Sequence, residues 1–310
     1  MTLRFFIKAL LVVVALIVID ISFGKGMRFL ADHSKGGDTY NVNYINRHFA
    51  DSLAVFGSSR ASHHYDPETF EESLGVPTYN CGIDGNGILL AYCFLNNIIK
   101  QGEKPEVIVY DFFPRFDLYC NDDRQRALTH IKPYYDIDGM KDFINDFSDN
   151  EYAKLHLSTY RYNSAFIQVL SDAIAPRQQN IKGYKPYSGC ITTDFVRSEE
   201  PVPPIIDSLK TKYLNKFIET CRSNDIRLVF VISPHFFESD TDYAGLLKKN
   251  ADSEITIIDM SNSAPFTNNK SLFVDPSHLN NTGAELFSSM LADSLRQMLH
   301  INRADTTALR

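Results

Sequence analysis

Short apolar runs along the chain alternate with segments in which apolar residues recur every three or four positions. Continuous apolar runs of this length are typical of buried strands, whereas the three-to-four spacing is typical of amphipathic helices. The strand-like runs are 53–56, 76–82, 106–113, 227–234 and 254–260, and the longest helix-like segments are 87–102, 203–226 and 282–300. Strands that alternate with helices predict a parallel sheet covered on both faces. We therefore expect a three-layer α/β fold of the flavodoxin-like kind.

The first segment departs from this alternation. Residues Phe5–Phe23 read FFIKALLVVVALIVIDISF and carry only two charges, Lys8 and Asp20. A bilayer core needs about 20 mostly apolar helical residues, and charged side chains near the ends of a span can reach the interface. No small-residue cleavage motif of a signal peptide follows. We expect 1–24 to be an uncleaved single-pass anchor with the body outside the cytoplasm; the alternative is the buried first helix of a soluble protein.

The rest of the sequence predicts a polar linker, a body and a short tail. The linker covers 25–50, the body covers 51–300 and the tail covers 301–310. Within the body the alternation is interrupted over 115–204, which is rich in Tyr, Asp and Asn and contains at least two helix-like pieces. We interpret this stretch as a helical insertion that shapes a substrate cleft.

Composition narrows the class of protein. The 310 residues carry a formal net charge of −7, which argues against a nucleic-acid partner. The five cysteines form no CxxC pair, so neither a zinc site nor a redox dithiol is expected, and no metal or other cofactor is predicted. The chain has no Trp, so a carbohydrate site would have to stack sugars on Tyr or Phe.

A carboxylate and an imidazole stand close together near the end of the body. The segment 274–283 reads VDPSHLNNTG and places Asp275 three residues before His278, just ahead of a helix. In a parallel sheet this loop lies at the same edge as the loops that follow the other strands. One of those loops carries Ser58 and Ser59, and a serine nucleophile needs an adjacent base that is oriented by a partner. The alternative is a helix-capping serine and an ordinary polar loop.

These blocks resemble the SGNH, or GDSL-type, hydrolase superfamily over roughly 51–300. The Gly-Ser-Ser that ends at Ser59 stands where the family has Gly-Asp-Ser, and Asp275-Pro-Ser-His278 stands where it has Asp-x-x-His. The resemblance implies the SGNH hydrolase fold. It also implies that Ser59 is the nucleophile, His278 the general base and Asp275 the acid that orients it.

The resemblance further implies an oxyanion hole, in which backbone N–H groups bind the negative oxygen of the intermediate. The implied donors are the N–H groups of Ser59 and Gly85, with Gly82 as the alternative to Gly85. The family's third block, Gly-x-Asn-Asp, is absent here, and Asp111 stands where an amide donor is expected. A carboxylate donates a hydrogen bond only when it is protonated. Asn163, within TYRYNS of the insertion, is a candidate replacement.

Other polar residues on the same predicted edge are candidate ligands. The candidate substrate contacts are Arg60, Asp111 and His235. Arg60 could bind a carboxylate or phosphate of the substrate, or it could pair with Asp66 as part of the structure. His63 and His64 are adjacent, so in a helix their side chains point apart. We expect them to be exposed or partly exposed histidines rather than metal ligands.

The Ser-Ser-Arg form, the anchor and the altered third block are similar to the membrane-tethered branch of this superfamily, which includes proteins of alginate O-acetylation and of D-alanyl-lipoteichoic acid biosynthesis. The resemblance implies a serine esterase or O-acyltransferase with a cell-surface polysaccharide and a membrane-bound O-acyltransferase as partners. The alternative is a catalytically silent domain that binds polysaccharide or scaffolds an acyltransferase. A nucleotide-binding Rossmann domain is disfavoured, because GIDGNG has the wrong glycine spacing and no acidic ribose partner.

Overall fold

A five-stranded parallel sheet lies at the centre of the computed structural model, which describes residues 2–147, 151–176, 181–195 and 204–299. The strands are β1 (Leu53–Phe56), β2 (Thr78–Asn80), β3 (Val107–Asp111), β4 (Arg227–Ile232) and β5 (Thr256–Asp259). Their spatial order is β2-β1-β3-β4-β5, and every neighbouring pair is parallel. The predicted parallel α/β architecture is confirmed.

Helices cover the sheet and extend beyond it. They are α1 (Thr2–Asp32), α2 (Gly37–Arg47), α3 (Ser59–His64), α4 (Pro67–Leu74), α5 (Ile88–Lys100), α6 (Pro114–Asp117), α7 (Asp123–Ile131), α8 (Asp138–Phe147), α9 (Glu151–Lys154), α10 (Ser158–Tyr162), α11 (Phe166–Ile174), α12 (Ser208–Ser223), α13 (Tyr243–Asn250) and α14 (Asn281–Leu299). A small antiparallel hairpin, β6 (Phe273–Asp275) with β7 (His278–Leu279), precedes α14.

The two faces of the sheet support two separate cores. Along β1, Ala54 and Phe56 point into the core shared with α5 and α12, whereas Leu53 and Val55 point into the core shared with α4 and α14. This alternation follows from the two-residue period of a strand. Because both faces are covered, all four residues of β1 are buried. Burial on both faces explains why the strands appear in the sequence as nearly unbroken apolar runs.

The segment after the apolar N-terminus is helical, so the predicted linker 25–50 is wrong. α1 continues to Asp32, and α2 packs against α5. The amphipathic pattern of α2 is hidden in the sequence because several of its buried residues are polar. Asn46, for example, is fully buried and accepts a hydrogen bond from Asn97 on α5.

Helix α1 has two parts with different surroundings. Its segment Leu3–Asp32 is long and apolar enough to cross a membrane. The side chains of residues 3–19 are exposed, whereas Met27 and Ala31 are buried against α10 and α11. The predicted tail, 301–310, lies outside the described residues.

Candidate active site

A continuous hydrogen-bonded chain joins Ser59, His278 and Asp275. Ser59 Oγ lies 2.8 Å from His278 Nε2. His278 Nδ1 lies 2.9 Å from Asp275 Oδ2 and 3.1 Å from Oδ1. Because an ionised carboxylate only accepts hydrogen bonds, the ring hydrogen lies on Nδ1, and Nε2 accepts from the Ser59 hydroxyl. The structure thus brings together the three residues that the sequence singled out.

The turn from β1 into α3 delivers Ser59 to this position. Gly57 has φ +144°, and a Cβ there would lie 2.9 Å from both the Ala61 Cβ and the Asp111 carbonyl oxygen. Only glycine fits such a close approach in that conformation. Glycine at this position therefore lets the strand reverse into α3, with Ser59 as the first helical residue.

The hairpin β6–β7 holds the acid and the base together. Asp275 accepts hydrogen bonds from the backbone N–H groups of Ser277, at 2.7 Å, and His278, at 3.0 Å. Burial acts to raise the pKa of Asp275, but the hydrogen bonds from the His278 ring and these backbone groups hold that pKa below its usual value. The Asp275 carboxylate is therefore charged at neutral pH.

Beneath this chain, Arg60 and Asp111 are buried rather than available to a ligand. Their side chains are 2% and 0% exposed, and Arg60 Nε lies 3.7 Å from Asp111 Oδ1. Arg60 also donates to Ser233 Oγ at 2.9 Å, while the Tyr65 hydroxyl donates to Asp111 at 2.6 Å. The prediction that Arg60 and Asp111 touch substrate is therefore wrong, because both bind protein groups that join α3 to β3 and to the end of β4.

Asp66, the predicted structural partner of Arg60, and His235, the third predicted substrate contact, have different outcomes. Asp66 does not pair with it; instead Asp66 caps α4 by accepting from the Glu68 backbone N–H at 3.1 Å. His235 is half-buried, and its Nε2 lies 2.9 Å from Arg60 Nη1. Its ring stacks on Tyr243, with centroids 5.1 Å apart. Of the three predicted substrate contacts, His235 is the one with an accessible side chain.

His63 and His64 are both fully buried, contrary to the prediction that they are exposed. His64 Nε2 accepts from the Leu279 backbone N–H at 3.1 Å, and its Nδ1 faces Ser233 Oγ at 3.1 Å. Burial, aided by the Arg60 charge, holds the pKa of His64 well below its usual value. His64 is therefore a neutral structural group, and among the described residues no cluster of His, Cys, Asp or Glu could hold a metal ion.

Three residues beside the site were not selected by the sequence analysis, namely Asp84, Lys185 and Tyr187. Asp84, in the loop after β2, accepts from the Ser62 hydroxyl and lies 3.2 Å from His63 Nε2 and 3.4 Å from Lys185 Nζ. Burial acts to raise the Asp84 pKa, but His63 and Lys185 hold it far below its usual value. Asp84 thus ties the loop that contains Gly85 to α3.

Tyr187 forms an aromatic wall next to the general-base candidate. Its ring centroid lies 5.8 Å from that of His278, and it stacks on His63 with centroids 3.8 Å apart. Tyr187 comes from the region predicted as an insertion, where sequence spacing gives no signal for a site. The available hint was compositional, since a chain without Trp has to place Tyr or Phe against a sugar.

The candidate oxyanion donors differ in whether they lie at the site and in whether their N–H groups are already hydrogen-bonded. The Gly82 N–H donates to Asn80 Oδ1 at 2.9 Å, so Gly82 is already engaged. Asn163 is exposed at the end of α10, a helix that packs against α1, and is not part of the site. In the described part of the chain the N–H groups of Ser59 and Gly85 have no hydrogen-bond acceptor. These two remain the candidate donors.

Comparisons with known proteins give three results. A family model that carries no description matches residues 204–300. No curated protein matches the chain. A solved structure described as a family two carbohydrate esterase from Clostridium thermocellum in complex with cellohexaose is similar, with 8% identity and a TM-score of 0.34. The match covers 81% of this chain and 65% of that one, which is less than two thirds. The family assignment made from the sequence therefore stays a prediction, and the chemistry below is derived from the chain's own residues.

Proposed function

We propose that this protein is a membrane-anchored serine esterase or O-acyltransferase of the SGNH type, acting outside the cytoplasm on acyl esters of a cell-surface glycan. The observation that carries the proposal is the hydrogen-bonded chain Ser59–His278–Asp275 beyond the carboxyl ends of the parallel strands. Ligand sites in sheets of this kind lie beyond those strand ends.

The geometry supports a two-step acyl transfer. Ser59 Oγ attacks the acyl carbon of the ester, and its proton passes to His278 Nε2 while Asp275 stabilises the resulting imidazolium. His278 then gives that proton to the departing alcohol oxygen, which leaves an acyl group on Ser59. Water or a sugar hydroxyl attacks this acyl-enzyme, and His278 accepts the incoming proton and returns it to Ser59. Water yields hydrolysis, whereas a sugar hydroxyl yields transfer.

The surroundings of the chain supply the remaining roles. The N–H groups of Ser59 and Gly85 are the proposed donors to the oxyanion, where each donor is typically worth about 10²–10³ in rate. Tyr187 is the proposed stacking surface for a sugar ring beside His278, and His235 is a proposed polar contact at the neighbouring strand end.

Helix α1 supports the proposed location. A single apolar helix of this length is suited to hold the body at a membrane surface. A polysaccharide of the periplasm or cell surface is then the proposed substrate, and a membrane-bound O-acyltransferase is the proposed partner in acyl exchange.

Labelling with a fluorophosphonate tests the nucleophile. We expect the wild-type protein to be labelled at Ser59, and Ser59→Ala and His278→Ala to lose both labelling and turnover of acetyl esters. Ser58→Ala is the matched control, because the Ser58 hydroxyl is fully buried and has no hydrogen-bond partner among the described residues. A wild-type protein that stays unlabelled and acyl-ester turnover that survives Ser59→Ala would together refute the proposal.

One observation favours the alternative of a silent domain that binds polysaccharide or scaffolds an acyltransferase. Asp111 is buried against Arg60 and Tyr65, so β3 contributes no amide donor. Complementation of a deletion strain distinguishes the two functions. Normal glycan acylation with Ser59→Ala, and its loss when the whole protein is missing, would favour the silent domain.

A further inference from the structure

Exposed apolar side chains concentrate where the body meets α1. Outside α1, four large apolar side chains of the described residues are more than half exposed, namely Leu157, Ile167, Ile174 and Ile205. Leu157 directly precedes α10, while Ile167 and Ile174 are the second and the last residues of α11. Three of the four therefore lie on or directly before the two helices that pack against α1. Leu157 and Ile167 lie at the starts of these helices. Ile174 lies at the end of α11, where the Asp172 carbonyl accepts a hydrogen bond from the Lys35 backbone N–H beyond the end of α1.

The contact between these helices and α1 is close and specific. The Asp20 carboxylate of α1 accepts hydrogen bonds from the backbone N–H groups of Ser158 and Thr159, both at 2.8 Å, at the start of α10. Three residues later, the Phe23 ring lies 6.0 Å from that of Phe166 on α11. The end of the exposed part of α1 is therefore fixed to both helices.

The length of α1 sets the height of this contact in a bilayer. At 1.5 Å per residue, Leu3–Phe23 spans about 30 Å, the thickness of the hydrocarbon core. When α1 crosses the bilayer, Phe23 lies at the hydrocarbon boundary, and Asp20 lies about 5 Å inside it. A carboxylate at that depth is costly without partners. The two N–H groups of α10 supply those partners and bring the start of α10 to the boundary between the hydrocarbon core and the headgroups.

We propose that the starts of α10 and α11 form a membrane-docking surface whose occupant is the lipid bilayer, with Leu157 and Ile167 inserted at the headgroup boundary beside α1. The inference rests on the proposed membrane anchor and deepens it. Interfacial helices bury an apolar face by about 5–10 Å and carry basic residues at its margin. Lys154, three residues before Leu157, is half-exposed and pairs with Glu151 at 3.5 Å; it is the basic residue proposed to meet anionic lipid.

The docking surface would fix the height of the candidate active site above the membrane. Asp172 of α11 accepts from the Thr39 backbone N–H at 3.1 Å, which joins α11 to α2. The next residue toward the N-terminus, Asp38, pairs with Lys185, which lies 3.4 Å from Asp84 in the loop beside α3. A continuous set of contacts therefore connects the bilayer surface with the site.

Single tryptophans in the full-length protein test this surface, because the native chain has none. Leu157→Trp and Ile167→Trp are reconstituted separately in lipid nanodiscs, with and without lipids brominated near the carbonyl end of the acyl chain. Leu11→Trp reports on the span, and Leu286→Trp is the matched exposed control on α14, which covers the opposite face of the sheet from α5. Circular dichroism verifies that each variant is folded.

We expect blue-shifted emission and strong bromine quenching at Leu157→Trp and Ile167→Trp, with Leu286→Trp unquenched. Quenching at Leu11→Trp alone would overturn the docking surface and leave the anchor intact, and it would point to a protein occupant of these positions. Absence of quenching at Leu11→Trp would overturn the anchor itself. A Leu157→Trp or Ile167→Trp reporter quenched no more than Leu286→Trp would likewise contradict the inference.

Discussion

Two serine–histidine pairs involve residues of α3 and differ in what surrounds them. Ser59 meets His278 at 2.8 Å, with His278 partly exposed and the carboxylate of Asp275 behind its ring. Ser233 meets His64 at 3.1 Å, with both side chains fully buried. The buried pair has the Arg60 guanidinium beside it in place of a carboxylate.

The difference shows how surroundings assign chemistry to the same residue types. A carboxylate favours the imidazolium that a general base becomes, whereas burial and a neighbouring cation oppose it. His64 also accepts the Leu279 N–H through Nε2, so that nitrogen is not available for a proton. The exposed pair is therefore suited to proton transfer, and the buried pair to holding α3 against β4.

Among the substitutions that test this comparison, His278→Ala is expected to have the largest effect on turnover. Without its base, Ser59 is a weak nucleophile, so we expect kcat on an acetyl ester to fall by about 10⁴-fold or more. Because His278 is partly exposed, the urea midpoint should change little. A variant that retained more than a tenth of wild-type turnover would place the base elsewhere.

Arg60→Met is expected to have the largest effect on stability. It leaves the buried Asp111 carboxylate without its cation, and breaking such a pair costs about 3–5 kcal/mol. Urea unfolding measures this loss. The control is Arg222→Met, which removes an exposed pair with Glu219 and should cost about 0–1 kcal/mol. Equal losses for the two variants would contradict the structural role assigned to Arg60.

Ser233→Ala provides the direct counterpart of Ser59→Ala. It removes the hydroxyl that faces both Arg60 and His64, and a buried polar group left without its partner costs about 1–3 kcal/mol. We expect a lower unfolding free energy but unchanged turnover per folded molecule. If Ser233→Ala abolished turnover in a protein that remained folded, the buried pair of Ser233 and His64 would have a role in catalysis.

The smallest expected effect concerns pH. The folded-state pKa of His64 is lowered, so the unfolded chain binds more protons than the folded one below the ordinary histidine pKa of about 6.5. The stability associated with neutral His64 is therefore complete above that pH and decreases as the pH falls, by up to about 1.4 kcal/mol per pH unit.

His64→Gln removes this titration but leaves the titrating carboxylates in place. We expect its unfolding free energy to fall less steeply than that of the wild type between pH 6.5 and pH 5, the range below the ordinary histidine value of about 6.5. Urea midpoints at several pH values measure the two slopes. Parallel slopes would mean that His64 carries the same charge in the folded and unfolded chains.

The sequence was sufficient to predict the features that depend on the order of apolar and polar residues along the chain. Alternating apolar runs predicted the parallel sheet, and the edge rule for such sheets placed the loop with Ser58 and Ser59 near the loop with Asp275 and His278. The choice of Ser59 came from the resemblance to the SGNH superfamily. Burial was not predictable in the same way. Arg60 follows Ser59 directly, yet one lies in the core and the other at the site, because a helix sends neighbouring side chains in different directions.

The remaining differences came from long-range contacts. α2 was taken for a linker because the asparagines that it buries, such as Asn46 against α5, look exposed in the sequence. Tyr187 lies beside His278 only because the chain returns from the region after β3 to pack on α3. Neither contact leaves a periodic pattern that a sequence alone could carry.

The acid and the base share one hairpin of seven residues, while the nucleophile belongs to another part of the chain. A shift of that hairpin by the length of one hydrogen bond would disconnect the ring and its carboxylate from Ser59 in a single movement, with the five-stranded sheet unchanged. The position of residues 273–279 therefore decides whether the proposed nucleophile has a base at all.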